Sequence, residues 1–294
     1  MLCIPYTHKA RCNFMRVLLE LMRYRNCAMA GLASVIGAAI AYSAAPGQLI
    51  WMPLIFVTVF LITGAGNAIN DYFDAGIDAI NRPDRPIPSG RIRKDSAFIF
   101  SIVLFAASII ISYFVGSSRI PFLIAIFNSL LLYFYAFSLK RKVFVGNLSV
   151  SYLSGSTFLF GGAAFGIEGI RFTLVLFFLS MLASLARELV KSIEDMEGDR
   201  KDGAVTLPIR IGERPAAYTA CAFGLLAVLL SPLPYFMELF NEYYLFVVGI
   251  ADVFFLYAMA LVLKKNPSAS SVYFKVAMFF ALLAFIAGSI LKKL

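Results

Sequence analysis

Histidine is nearly absent from this chain of 294 residues; there is one, His8, in a basic N-terminal tail. That removes the commonest general base and the commonest zinc ligand from any core site. The four cysteines, Cys3, Cys12, Cys27 and Cys221, form no CxxC pair and no metal-ligand spacing, so they are read as small apolar residues. Charge is scarce as well: 15% of residues are charged against 61% hydrophobic, and the mean hydropathy is +0.83. This balance excludes a soluble globular domain and places the chain among polytopic membrane proteins. Lys9, Arg11 and Arg16 precede no short apolar segment with a small-residue cleavage site, so the first hydrophobic helix is expected to be retained.

What the chain has in abundance is long apolar runs. A spanning helix needs about 20 mainly apolar residues. Nine segments reach that length, approximately Asn26–Ala45, Leu49–Ile69, Ala97–Val115, Ile120–Ser138, Val145–Phe165, Phe172–Leu189, Ala216–Phe236, Tyr243–Leu263 and Ser271–Leu291. Pro46, Pro121 and Pro267 fall at the junctions, where proline is expected. With the N-terminus cytoplasmic, the loops divide Lys and Arg 22 inside against 4 outside, the latter being Arg119, Arg171, Lys292 and Lys293. The expected fold is an all-α polytopic membrane protein, nine transmembrane helices around a central cavity, with its charged loops on the cytoplasmic side of the cell membrane. The net charge of +9 then follows from orientation and attraction to phosphate groups, with no call for nucleic acid.

Two of the cytoplasmic loops are long and charged. In Asn70 to Ile92, NDYFDAGIDAINRPDRPIPSGRI, a helix continued through Asp78 puts Asp71, Asp74 and Asp78 within an arc of about 60°, with Asn70 at its edge. In Arg187 to Arg210, RELVKSIEDMEGDRKDGAVTLPIR, Asp195, Asp199 and Asp202 repeat such a spacing at i, i+4, i+7, again within about 60°. Three like charges on one stripe repel unless a cation sits among them, and hard oxygen ligands favour magnesium or calcium. Each cluster ends the second helix of a four-helix set, a weak internal repeat with halves at about 20–142 and 143–265 and a last helix at 271–291, within a single domain spanning 1–294. Pseudo-symmetric membrane proteins place their site between the halves. Arg82, Arg85, Arg91, Lys140, Arg141, Lys191 and Arg200 lie on the same side, and guanidinium forks suit phosphate oxygens. Magnesium bridging carboxylates to a diphosphate, with basic side chains on the remaining oxygens, gives a neutralised arrangement.

The pattern Asn70-Asp71-x-x-Asp74-x-x-x-Asp78, followed by Asn81-Arg82-Pro83-Asp84-Arg85-Pro86-Ile87-Pro88, resembles the first signature of the UbiA family of membrane prenyltransferases, and Asp195-x-x-x-Asp199 resembles the second. The resemblance implies a magnesium-dependent enzyme that binds an allylic prenyl diphosphate, loses diphosphate and passes the allylic cation to a nucleophile. It assigns Asn70, Asp71, Asp74, Asp78, Asp195 and Asp199 to magnesium, with Asp202 as an added member. Asp71, Asp74, Asp195 and Asp199 are the catalytic candidates. Arg82, Arg85, Lys140 and Lys191 are the candidates for donor or acceptor phosphate. The family shows Arg-Pro-x-Asn near the first helix, where this chain reads Arg23-Tyr24-Arg25-Asn26, which keeps Arg23 and Asn26 as substrate-binding candidates. The family's tyrosine and lysine four apart correspond to Tyr135 and Lys140, which here are five apart. Within the family, the two loops look most like members that transfer geranylgeranyl from its diphosphate to the hydroxyl of geranylgeranylglyceryl phosphate, a lipid-like phosphate acceptor. An aromatic quinone precursor, a tetrapyrrole and a chlorophyll-type alcohol are the alternative acceptors; a divalent-cation-coupled transporter is the alternative class. Asp252, inside the eighth expected helix, is expected to be either functional or bonded to a neighbouring helix.

Overall fold

A computed structural model describes residues 5–44, 48–201 and 203–290. Asp202, Cys3, Pro46, Lys292 and Lys293 lie outside the described residues, as do the span ends at Ala45 and Leu291 and the side chains of His8, Lys9, Arg11 and Cys12. Among the described residues the protein is all helix. The long helices are α1 (Pro5–Met22), α2 (Tyr24–Ala44), α3 (Trp51–Asn81), α4 (Lys94–Ser112), α5 (Ile120–Phe137), α6 (Val145–Ala163) and α7 (Gly166–Glu194), followed by α10 (Glu213–Leu230), α12 (Glu242–Leu263) and α13 (Pro267–Ile290). Short helices α8 (Met196–Lys201), α9 (Leu207–Ile211) and α11 (Leu233–Phe236) and a 3₁₀ turn, Leu139–Arg141, connect them.

Helices overlie each of the nine expected segments, and seven of them are long and apolar enough to cross a membrane. The other two, α2 and α6, are rich in Ala, Gly and Ser because they pack against each other in the interior. A Cβ on Gly161 would lie 2.0 Å from the Ser34 carbonyl oxygen, and one on Gly37 would lie 2.5 Å from that of Phe158. Larger residues would force these helices apart, so hydropathy gives way to close approach. Elsewhere large apolar side chains such as Phe246 and Leu229 point outward, as lipid contact requires.

Three expectations need correction. The N-terminal tail is helical from Pro5, because Val17 and Leu21, one turn apart, bury against Ala68, Ile92 and Ala97. The seventh expected span is not one helix: α10 stops at Leu230, and α11 resumes after Pro232, which cannot supply a helical N–H. The second aspartate cluster does not lie on a single helix, as described below.

The two longest helices set the site. At 1.5 Å per residue, α3 with 31 residues and α7 with 29 extend about 46 and 44 Å, against a hydrocarbon core of about 30 Å. Their C-terminal turns therefore reach past the apolar core; α3 carries its aspartates there, and α7 delivers Asp195 at its C-cap and Asp199 on the following α8.

Candidate functional site

The α3 helix remains regular through Asn81, so Asp71, Asp74 and Asp78 share a face as their spacing predicts. It ends because Pro83 drives the preceding Arg82 out of the helical region, to φ −147° and ψ 62°. The chain then folds back on itself. Ser89 N–H donates to the Arg85 carbonyl at 3.0 Å, Gly90 N–H to Ile87 at 3.0 Å, and Gly90 takes a φ of +72° that favours glycine. This turn lays the Arg85 guanidinium over α3, donating to Asp78 Oδ2 at 2.5 Å and Asp71 Oδ1 at 3.2 Å. Arg91 secures the turn from outside, with Nη1 and Nη2 donating to Glu20 Oε2 and Oε1 of α1 at 2.6 and 2.8 Å.

Arg23 approaches from the α1–α2 junction, where its φ of +53° is costly for a residue with a Cβ. That backbone turns the side chain inward, and Nη2 donates to Asp71 Oδ1 at 2.6 Å. Lys140, on the 3₁₀ turn after α5, pairs with Asp74 Oδ1 and donates to Asn70 Oδ1 at 3.2 Å. Asn70 Nδ2 in turn donates to Asp74 Oδ2 at 2.8 Å. Every carboxylate on this face thus has a basic side chain against it, which offsets the repulsion among the three.

On the facing arm α7 ends at Glu194, and Asp195 stands at a break with φ −87° and ψ 1° before α8 begins. Asp199 N–H donates to the Asp195 carbonyl at 3.0 Å, so Asp199 still lies one turn beyond Asp195 although the helix is interrupted. The following segment turns back to the 3₁₀ turn, with Val205 N–H donating to the Arg141 carbonyl at 3.1 Å.

Between the arms lies a cavity of about 820 Å³. Asp74, Asp78, Asp195, Asp199, Arg82, Arg85, Lys140 and Lys191 line one end, and Val59, Ile62, Leu132, Leu153 and Phe160 line the other. From Val59 to Asp78 is 19 residues of α3, or about 28 Å. The space is long, charged at one end and apolar at the other. Of the many Phe and Tyr residues, the wall uses Tyr135 and Phe160.

Most residues singled out from the sequence converge here, Asn70 and Arg23 included. Asp71 does not touch the cavity directly: it is 4% exposed and sits behind Arg23 and Arg85. Asn26 is exposed and absent from the cavity wall. Among the described residues, no three acidic, histidine or cysteine side chains gather closely enough to hold one metal ion together. The α3 carboxylates are engaged one by one with Arg23, Arg85 and Lys140 instead. Asp252 is settled elsewhere, accepting from Ser231 Oγ at 2.7 Å, while Tyr244 OH bonds the Ser231 carbonyl at 2.5 Å. It is a helix-linking group and does not line the cavity.

Sequence reasoning missed several wall residues. Glu188 lies seven residues before Asp195 on α7, a spacing that places it on the same face, and its carboxylate pairs with Arg187. Asn147 of α6 donates to the Glu188 carbonyl at 3.0 Å and to Ser192 Oγ at 2.8 Å. Asn128 of α5 donates to Ser156 Oγ at 3.0 Å. The i+7 step could have found Glu188. Asn147 and Asn128 carry only the weaker signal of a lone amide within an apolar run.

The sequence pattern of the UbiA prenyltransferase family matches residues 30–283. The digeranylgeranylglyceryl phosphate synthase of Methanosarcina mazei is 54% identical over 285 residues, covering 93% of this chain and 98% of that protein. A solved structure concerned with digeranylgeranylglyceryl phosphate synthase in membranes superposes with a TM-score of 0.81 at 41% identity, over 96% of this chain and 99% of that one. A UbiA homologue from Archaeoglobus fulgidus, solved bound to GPP and Mg2+, has a TM-score of 0.62 at 14% identity over 95% of this chain and 100% of that one, a likeness of fold alone.

Proposed function

The chain belongs to the UbiA prenyltransferase family, and from that premise we propose that it transfers a geranylgeranyl group from geranylgeranyl diphosphate to the free hydroxyl of geranylgeranylglyceryl phosphate, forming the second ether bond of an archaeal membrane lipid. It is a multi-pass membrane protein. The charged end of the cavity is proposed to face the cytoplasm, and the halves at 20–142 and 143–265 to contribute one aspartate arm each. The observation that carries the reading is a cavity whose one end presents aspartates from two arms among basic side chains, and whose other end is apolar.

The donor chemistry fits magnesium, and because no three of the described carboxylates converge on one point, the substrate's diphosphate oxygens would have to complete the ion's ligand set. Asn70, Asp74, Asp78, Asp195 and Asp199 offer hard oxygen atoms on one wall, and Asp74 and Asp78 already hold cationic groups. Asn70, Asp74 and Asp78 of the first arm and Asp195 and Asp199 of the second, with Asp202, would hold the metal, while Asp71, expected from its motif to be a ligand, supports them from behind Arg23 and Arg85. When bound, it neutralises diphosphate charge and so eases departure of the leaving group. Lys140, Arg85 and Arg82 supply donors for phosphate oxygens that the carboxylates would otherwise repel. Arg23 orients Asp71 by donating to its Oδ1. Val59, Ile62, Leu132, Leu153 and Phe160 accommodate prenyl chain and keep water from the allylic cation, with the Tyr135 and Phe160 rings offering faces to positive charge. The bond from the allylic carbon to diphosphate breaks, the acceptor oxygen bonds to that carbon, and the hydroxyl proton passes to the released diphosphate or a cavity carboxylate. Fixed guanidinium and ammonium groups on the carboxylates are a poor environment for a permeating divalent cation, which disfavours the transporter class.

The test incubates purified protein with magnesium, geranylgeranyl diphosphate and a panel of acceptors, and identifies products by mass. A diether phosphate is expected from geranylgeranylglyceryl phosphate, lost on chelation and in Asp71→Asn and Asp199→Asn. Transfer to an aromatic acid with none to the glycerophosphate would overturn the substrate assignment.

A further inference from the structure

The basic side chains of the cavity fall into two sets. Arg23, Arg85 and Lys140 each have a carboxylate partner on α3. Arg141, beside Lys140 on the 3₁₀ turn, and Lys191, on α7, line the same cavity, and neither forms an ion pair with another described residue. Near them is a third group with an unmet need. Thr206 is 6% exposed, lines the cavity, and its Oγ1 has no hydrogen-bond partner. It directly follows Val205, whose N–H is bonded to the Arg141 carbonyl, so the hydroxyl is held next to the 3₁₀ turn.

A buried hydroxyl without a partner costs about 1–3 kcal/mol. Arg141 and Lys191 line the same cavity with no ion-pair partner among the described residues. A single anionic group with several acceptor oxygens satisfies all three. Lys191 lies one turn before Asp195, whose N–H bonds its carbonyl at 2.9 Å, so this basic group is set about 6 Å back along α7 from the aspartates. It is thereby offset from the carboxylates at which the donor diphosphate is proposed to sit.

We infer that Arg141, Lys191 and Thr206 form a second anion subsite, which takes the phosphomonoester of the acceptor while the aspartate end takes the donor diphosphate. The inference rests on the functional reading above and divides phosphate binding between the two substrates. Arg141 and Lys191 pair with the phosphate dianion, and the Thr206 hydroxyl donates to a third oxygen. The subsite selects a phosphorylated glycerol ether over a neutral one.

The experiment measures KM for donor and acceptor separately in wild type, Arg141→Gln, Lys191→Gln and Thr206→Val, using geranylgeranylglyceryl phosphate and, in parallel, geranylgeranylglycerol, the same acceptor without phosphate. Each charge-removing variant is expected to raise KM for the phosphorylated acceptor by about ten- to a hundredfold, the loss of one charge-assisted contact. KM for the donor and turnover of the unphosphorylated acceptor should change by less than about twofold, well under one such contact. Unchanged donor KM also shows that the variants are folded. Equal rises for donor and acceptor, or equal losses with the unphosphorylated acceptor, would overturn the subsite. A wild-type protein that ignores both glycerol ethers would overturn the functional reading itself, and that arm separates the two failures.

Discussion

A buried charge in a membrane protein calls for a partner, and the residues of this chain show two ways of finding one. Asp71, Asp74 and Asp78 find guanidinium or ammonium groups and line or support a cavity. Asp252 finds the hydroxyl of Ser231 and closes a link between α10 and α12. From the sequence only the first case is legible, as a stripe of three acids beside arginines, because an isolated acid in an apolar run such as Asp252 says only that desolvation must be offset. The difference predicts different consequences. Asp252→Asn should keep prenyl transfer near the wild-type rate, since an amide oxygen still accepts from Ser231, whereas Asp252→Leu leaves that hydroxyl only the Val228 carbonyl at 2.9 Å and, by removing the link to α12, should lower stability by about 0.5–1.5 kcal/mol. Thermal unfolding in detergent alongside a turnover assay checks both; a large loss of turnover in Asp252→Asn at unchanged stability would place Asp252 in the chemistry.

At the scale of elements, the turn between α3 and α4 is held at two points. Arg85 anchors it to α3 from inside, and the fork of Arg91 on Glu20 anchors it to α1 from outside. The Arg91 hydrogen bonds hold the Glu20 carboxyl below its usual value of 4.5. A depressed carboxyl stabilises the fold fully above the unfolded value, and the contribution is lost as pH falls through the lower folded one. Both side chains are partly exposed, so the pair contributes no more than about 1 kcal/mol. Glu20→Gln should therefore lower Tm slightly at neutral pH, with the gap from wild type closing as pH falls below 4.5. A gap that stays constant across that range would show that the pair does not act through charge. The register of α3 was legible in advance, since three aspartates on one stripe and a proline after Arg82 fix both face and end. The break at Asp195 was not, because Glu194-Asp195-Met196 contains no residue that forbids a helix. The helix α1 was hidden by its basic residues, and its apolar stripe becomes meaningful only once Ala68, Ile92 and Ala97 are in place to receive it.

For the whole molecule, the apolar runs and the asymmetry of Lys and Arg were enough to indicate a polytopic helical bundle. They did not indicate which helices lie inside. The glycines of α6 already suggested close helix packing, and the approaches of Gly161 to Ser34 and of Gly37 to Phe158 identify α2 as the partner. The site was legible in its motifs and less so in its walls. Thr206, Asn147 and Asn128 come from separate elements, and no spacing in one chain segment announces them. The central claim is that two distant aspartate clusters act as one magnesium and diphosphate site. Magnesium-dependent binding of geranylgeranyl diphosphate, measured by calorimetry on wild type, Asp74→Asn and Asp199→Asn, tests it most directly. The account predicts that removing either carboxylate alone weakens binding by about tenfold or more, the loss of one charge-assisted interaction. Wild-type affinity in either variant, or binding that persists in chelator, would contradict it.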